Sequence, residues 1–194
     1  MSGKIIIGVS GEIGAGKTSF VRCLQEFGVY PVWTDDIAHD ILRLETVKKK
    51  LVGYFGKDIL HNGEISTKKL SAKAFRNKEN WQKLVGITHP FIIKRVKNKI
   101  AIADSKYIAI DAPLLFESGL DELCNYIVWI KADLEIRKKR INRLSWQEVN
   151  NRTKYLIPAG IKEKMADFVV VNNGEKRRLM KNAQKIYSGI KSRQ

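Results

Sequence analysis

The sequence predicts an α/β fold, a five-stranded parallel sheet flanked by helices, with a helical insertion and a lid. Three observations predict it. Five short runs rich in β-branched residues alternate with segments of helical periodicity. A glycine-rich segment, Gly11 to Thr18, joins the first run to the first helical segment. Two long stretches, 45–104 and 133–162, interrupt the alternation where a simple crossover needs only about a dozen residues.

The elements follow in order. Lys4 to Ser10 (KIIIGVS) is a short isoleucine-rich run that reads as a buried parallel strand. Thr18 to Glu26 places Phe20, Val21 and Leu24 at helical spacing, and Gly28 stops it. Val29 to Thr34 reads as the second strand and Asp36 to Leu44 as the next helix. Tyr107 to Ile110, Tyr126 to Ile130 and Phe168 to Val171 complete the set of strands. Between strands two and three, 45–104 has helical patterning and no convincing strand. The stretch 133–162 is dense in Arg and Lys. There is no internal repeat or Pro/Gly/Ser linker, so residues 1–194 read as one unit. Its core is 1–44 with 105–132 and 163–194, its insertion 45–104, and its lid 133–162.

Composition narrows the class. The chain has 194 residues, 44% of them hydrophobic, enough for a real core. No apolar run reaches the length of a membrane span, and the apolar start is too short for a secretory signal core. Cys23 and Cys124 lack the spacing of a metal site and read as two buried, reduced thiols in a cytoplasmic protein. The net charge is +16, and 25 of the 36 basic residues are lysine, spread from Lys4 to Lys191. Such a surface can bind nucleic acid, steer an anionic substrate or reflect general composition. Dispersed lysine favours a solvated surface over a groove-reading patch.

Gly11-Glu12-Ile13-Gly14-Ala15-Gly16-Lys17-Thr18 fits G-x-x-x-x-G-K-[ST] at every fixed position. The glycines Gly11, Gly14 and Gly16 let the backbone curl so that successive N–H groups of the loop, that of Ala15 included, face phosphate oxygens. The following helix, with Lys17, Thr18 and Ser19 in its first turn, adds its positive end. Lys17 can reach the β- and γ-phosphates of ATP, and the Thr18 hydroxyl can coordinate Mg²⁺. This loop alone does not separate kinases from other nucleotide-binding enzymes. No guanine-specific NKxD signature is present, and the chain is short for a helicase or transporter ATPase. A P-loop small-molecule kinase leads on size.

The acceptor side is sought at the carboxyl ends of the strands. Asp35 and Asp36 follow the second strand; either can cap the next helix, and Asp35 can take the proton of an attacking hydroxyl or hold Mg²⁺. Asp111 follows the third strand, where a carboxylate can join the metal shell. His89-Pro90 lies in the insertion. Arg137, Lys138, Lys139, Arg140 and Arg143 cluster after the fourth strand, with Arg140 and Arg143 on one helix face. They form either a solvated basic face or a clamp on the transferring phosphate.

Taken together, these residues resemble the dephospho-CoA kinase family. The acceptor motif appears as Thr34-Asp35-Asp36-Ile37-Ala38-His39. Within the insertion, Tyr54-Phe55-Gly56, Asn62-Gly63-Glu64-Ile65, Leu70, Phe75 and His89-Pro90-Phe91-Ile92 keep the family's order and spacing. Asp111-Ala112-Pro113-Leu114-Leu115-Phe116-Glu117, Lys139-Arg140 and Ala166-Asp167-Phe168-Val169-Val170 then lead to Asn172-Asn173-Gly174. The likeness runs from residue 5 to about 174. The chain departs from the pattern at Trp33, where an acid is common, at Thr67, usually arginine, at Leu144, and at Leu156 in a Gln-x-Pro lid segment. Arg152 and Lys162 match basic lid positions.

The resemblance implies transfer of the γ-phosphate of ATP to the ribose 3′-hydroxyl of dephospho-CoA, with Mg²⁺. It implies Asp35 as base, Lys17 as phosphate ligand, Arg140 as the lid arginine and Arg143 as a further ATP contact. His89, Leu114, Leu115 and Glu117 are expected to line the acceptor site. Thr18, with Asp111 as a candidate, is expected at the metal. A nucleoside or nucleotide kinase of the same architecture and a nucleic-acid-binding ATPase are the alternatives. The favoured reading has ATP and dephospho-CoA as partners, no specific nucleic acid or membrane, and a monomer.

Overall fold

The computed structural model describes residues 3–141 and 144–193. Five parallel strands, β1 (Ile5–Gly11), β2 (Tyr30–Trp33), β5 (Tyr107–Asp111), β6 (Tyr126–Lys131) and β7 (Phe168–Val171), form one sheet in the order β2-β5-β1-β6-β7. The chain leaves β1 toward β2 and β5 on one side and toward β6 and β7 on the other. That reversal opens a crevice beyond the carboxyl end of β1. Register brings Val9 beside Asp111, Trp33 beside Asp111 and Gly11 beside Ile130, so the strand ends meet at one edge.

Alternation along the strands builds two layers. Ile7, Val9, Tyr107 and Ala109 face helices α1 (Lys17–Gln25) and α9 (Lys176–Lys191) through Phe20, Val21, Leu24 and Ile186. Val32, Ile108 and Ile110 face α2 (Thr34–Leu42) and α5 (Lys78–Ile102) through Ile37, Ile41, Val96 and Ile100. Phe20 is fully buried, and truncating such a ring to Ala costs about 3–5 kcal/mol. Among the described residues no helix is long and apolar enough to cross a membrane.

The stretch 45–104 carries its own apolar cluster, Val47, Leu51, Phe55, Ile59, Leu70, Ala74 and Ile87, from α3 (Glu45–Phe55), α4 (Thr67–Ala74) and α5. It also holds a hairpin of β3 (Leu60–His61) and β4 (Glu64–Ile65), where the sequence reading expected no strand. The turn is Asn62-Gly63, with φ of 49° and 79°. Two positive φ values in an Asn-Gly pair are what a tight hairpin with right-handed twist requires. Helix α5 serves both parts: its first half packs on the insertion cluster, its last turns pack on the sheet, and Phe91 touches both. Lys4 Nζ donates to the carbonyls of Ile100 and Ala103, both at 2.7 Å, and so caps the end of α5 against the start of β1. The stretch 133–162 forms α6 (Leu134–Arg140), α7 (Trp146–Thr153), opened by a Ser145/Glu148 capping box, and the start of α8 (Ala159–Lys164).

Candidate active site

A cavity of about 640 Å³ lies over the carboxyl edge of the sheet, bounded by the glycine loop, α2, α5 and the 137–162 stretch. Its floor is the loop. Gly11 ends β1 so close to β6 that a Cβ there would sit 2.1 Å from the Ile130 carbonyl oxygen. Gly16 has φ 96°, and a Cβ there would lie 2.4 Å from Nδ2 of Asn172. That same amide donates to the Ala15 carbonyl at 2.7 Å. The loop is thus held from behind, at Ala15 and Gly16, and opens in front at Gly11, Gly14, Lys17 and Thr18. Ser19, in the first turn of α1, is exposed and stands away from the cavity.

Lys17 Nζ donates to the carbonyls of Gly11 and Glu12, both at 3.2 Å. Burial pushes its pKa down, and the charges of Asp111 and Asp35 push it back up. An ammonium enclosed by its own loop and facing two carboxylates is placed to meet an anion entering from the cavity.

Asp111 ends β5 and is buried. Its Oδ2 accepts the Thr18 hydroxyl at 2.7 Å, while Oδ1 is buried with no hydrogen-bond partner among the described residues. Burial raises its pKa against the opposing effects of the Thr18 bond and Lys17. A hydroxyl and a carboxylate with an unused oxygen are hard donors that suit Mg²⁺, which takes one or two protein oxygens and fills its shell with phosphate and water. Among the described residues no group of three or more His, Cys, Asp or Glu could hold a metal.

The two adjacent aspartates are separated by the fold. The Thr34 hydroxyl donates to the Asp111 carbonyl at 2.8 Å, and Thr34 starts α2 rather than ending β2. That bond sets the first turn of α2 over the end of β5. Asp35 then lines the cavity and Asp36 does not. Neither caps the helix: the cap position is Trp33, and its side chain makes no capping bond. Trp33 packs on the core layer of α1 and α9 instead of reaching the cavity.

The far wall comes from α5 and the loop after β5. His89 is buried and lines the cavity beside Ile92 and Trp81. Burial lowers its pKa, with Glu117 opposing. Of the expected acceptor residues in the 114–117 loop, only Leu114 reaches the cavity. Leu115 is wholly buried under β1, where a Cβ on Gly8 would meet it at 2.9 Å. Glu117 is turned inward and pairs with Lys162 at 2.5 Å, with both side chains almost fully buried. Removing one partner of such a pair costs about 3–5 kcal/mol, because it strands a buried charge.

The basic cluster is also divided. Arg140 is the last residue of α6; its Nη1 donates to the Asn172 carbonyl at 2.9 Å and lies 3.5 Å from the Ala15 carbonyl. The side chain therefore braces the back of the glycine loop, away from the cavity position expected for a lid arginine. Arg137, about one turn earlier, faces the cavity, donates to the Ile13 carbonyl at 3.0 Å and pairs with Glu12. Arg143 lies outside the described residues. Cys23 is buried and Cys124 half-buried, both free, and burial pushes the Cys124 thiol up to about 12.

Sequence reasoning missed the Lys162–Glu117 pair and the aromatic wall of Phe75, Trp81 and Trp129. Trp129 sits in a strand already assigned, but only the sheet order shows which neighbours it meets. Arg137 was in view as one of a cluster. Its spacing from the loop becomes informative only when α6 is docked.

Comparison with known proteins gives the chain a family. A family model described as dephospho-CoA kinase matches residues 5–178. A dephospho-CoA kinase from Fusobacterium nucleatum is 35% identical over 190 residues, covering 96% of this chain and 98% of that one. A crystal structure of a Thermus thermophilus protein superposes with a TM-score of 0.81 at 25% identity, covering 96% and 97% of the two chains. The dephospho-CoA kinase from Campylobacter jejuni does so with a TM-score of 0.68 at 26% identity, covering 95% and 96%. The family model over residues 5–178 and a relative 35% identical across 96% of this chain make the chain a member of the dephospho-CoA kinase family.

Proposed function

We propose that the chain transfers the γ-phosphoryl group of ATP to the ribose 3′-hydroxyl of dephospho-CoA, giving coenzyme A and ADP. Family membership supports the substrate. The observation that carries the chemistry is one cavity in which Lys17 and Thr18 face Asp35 across the end of β5. The triphosphate lies on the loop amides with Lys17 against the β- and γ-phosphates. Asp35 accepts the proton as the 3′-oxygen bonds to the γ-phosphorus and the bond to the ADP oxygen breaks. Thr18 and Asp111 would hold Mg²⁺, which would supply charge neutralisation on the phosphates. Arg137 is the cluster arginine on the cavity side and meets the transferring group once Glu12 releases it. Arg140 supports the loop that carries the phosphates.

His89, Leu114 and the aromatic wall take the acceptor. Residues 45–104 form the substrate-binding part and 133–162 a lid whose closure excludes water. The protein works in the cytoplasm as a monomer. Its basic surface serves two polyanionic substrates and no specific nucleic acid.

The test is ADP release measured with dephospho-CoA, nucleosides and nucleoside monophosphates in parallel. ADP release should rise with dephospho-CoA; a rise with a nucleoside acceptor alone would overturn the reading.

A further inference from the structure

Glu117 joins three parts of the molecule. It sits in the loop after β5, yet its Oε1 accepts the Ile157 N–H at 3.1 Å and pairs with Lys162 at 2.5 Å. Its charge is also felt at His89 of α5. Oε2 is buried and has no hydrogen-bond partner among the described residues. Charges so enclosed are costly, and an apolar pair of similar volume packs as well or better. Packing alone therefore does not explain the pair.

Lys162 supplies the reason. Its side chain is 5% exposed, but it lines the cavity and its Nζ lies 6.0 Å from the centre of the Trp129 ring, also on the cavity wall. Its charge adds to the effects that lower the pKa of Lys17, so the two ammonium groups share one electrostatic field. The nearby acid Glu163 is engaged elsewhere, with Lys131 at 2.6 Å. Lys162 thus pairs with a buried carboxylate and also lines the cavity that Lys17 lines.

We propose that Glu117 is a positioning residue for phosphoryl transfer: its carboxylate tethers the 157–162 segment to the sheet and aims the Lys162 ammonium at the phosphates of the bound substrates. This rests on the kinase reading above. Lys162 acts as a second ammonium of the cavity beside Lys17, and Glu117 acts only through it.

The test is a double-mutant cycle on Glu117→Gln and Lys162→Met, with kcat, both KM values and Tm measured for all four proteins. Lys162→Met should lower kcat roughly 10²-fold, the scale of losing one donor to a developing charge. Glu117→Gln keeps an acceptor for the Ile157 N–H. It should lower kcat about tenfold alone and change it by less than about twofold in the Lys162→Met background, the non-additivity of a coupled pair. Lys162→Arg, which keeps the charge, should restore most of the rate lost in Lys162→Met. Equal fold-losses from Glu117→Gln in both backgrounds would show a purely structural role and overturn the proposal. So would wild-type turnover by Lys162→Met. If Glu117→Gln alone does not fold, the double variant, which buries no charge at either position, is compared with Lys162→Met; a further large loss of kcat there overturns the proposal. The cycle uses whichever acceptor the wild-type protein phosphorylates. Failure of dephospho-CoA as acceptor would overturn the proposed function and leave this inference to its own numbers.

Discussion

The Thr18 hydroxyl donates to Oδ2 of Asp111 across 2.7 Å, and the other oxygen of that carboxylate is buried without a partner among the described residues. The first turn of α1 and the end of β5 are thereby joined where a triphosphate would bring its metal. Asp111→Asn preserves the shape and removes the charge. We expect the Mg²⁺ concentration for half-maximal activity to rise about 10–100-fold, the scale of lost support at a metal site. The rise in Tm given by Mg²⁺ together with ATP should shrink in parallel. An unchanged Mg²⁺ requirement would remove Asp111 from the metal shell.

Asp35 and Asp36 are adjacent, but only Asp35 lines the cavity. Asp35→Asn should lower kcat roughly 10²–10⁴-fold, as for loss of a general base, with ATP binding retained. Asp36→Asn should stay near wild type in both. Equal losses from the two variants would show that the helix start, not a base, is being disturbed.

Burial lowers the pKa of His89, with Glu117 opposing. A folded-state value below the unfolded one means that the unfolded chain binds the extra proton first. Stability is therefore fully present above the unfolded value, about 6.5, and is lost as pH falls from there through the folded value. His89→Gln removes this contribution. Tm of wild type minus Tm of the variant should fall as pH is lowered below about 6.5. A difference that is flat between neutral and mildly acid pH would show that His89 is not held neutral.

Gly11→Ala tests the seam between β1 and β6, where a Cβ would lie 2.1 Å from the Ile130 carbonyl oxygen. Ordinary overpacking costs about 1–3 kcal/mol, and this contact is with rigid backbone. With about 2–4 °C per kcal/mol for a chain of this size, Tm should drop by roughly 5 °C or more. ATP affinity should fall with it, because the same residue opens the phosphate loop. A variant with wild-type Tm would mean that the strands part easily there.

Much of this was legible in the sequence because the signals are local. The isoleucine run before Gly11, the G-x-x-x-x-G-K-T spacing and the β-branched runs at 107, 126 and 168 are each read from neighbours along the chain. They determined the α/β class, the phosphate loop and its Lys17 and Thr18. The Asn62-Gly63 hairpin was equally local; its two strands are only two residues each, too short for an alternating pattern to show.

What the sequence left open depended on which distant elements meet. Asp35 was separated from Asp36 by one hydroxyl, Thr34, reaching Asp111 on a strand 77 positions away. Arg140 and Arg137 were divided by the docking of α6 against the glycine loop, which turns one guanidinium to Asn172 and the other to the cavity. Glu117 stood in a motif that implied substrate contact, and the fold buried it against Lys162. Local pattern determined which residues could do chemistry. Sheet order and helix docking, which bring together charges far apart in the chain and set their solvation, decided which of them face the cavity.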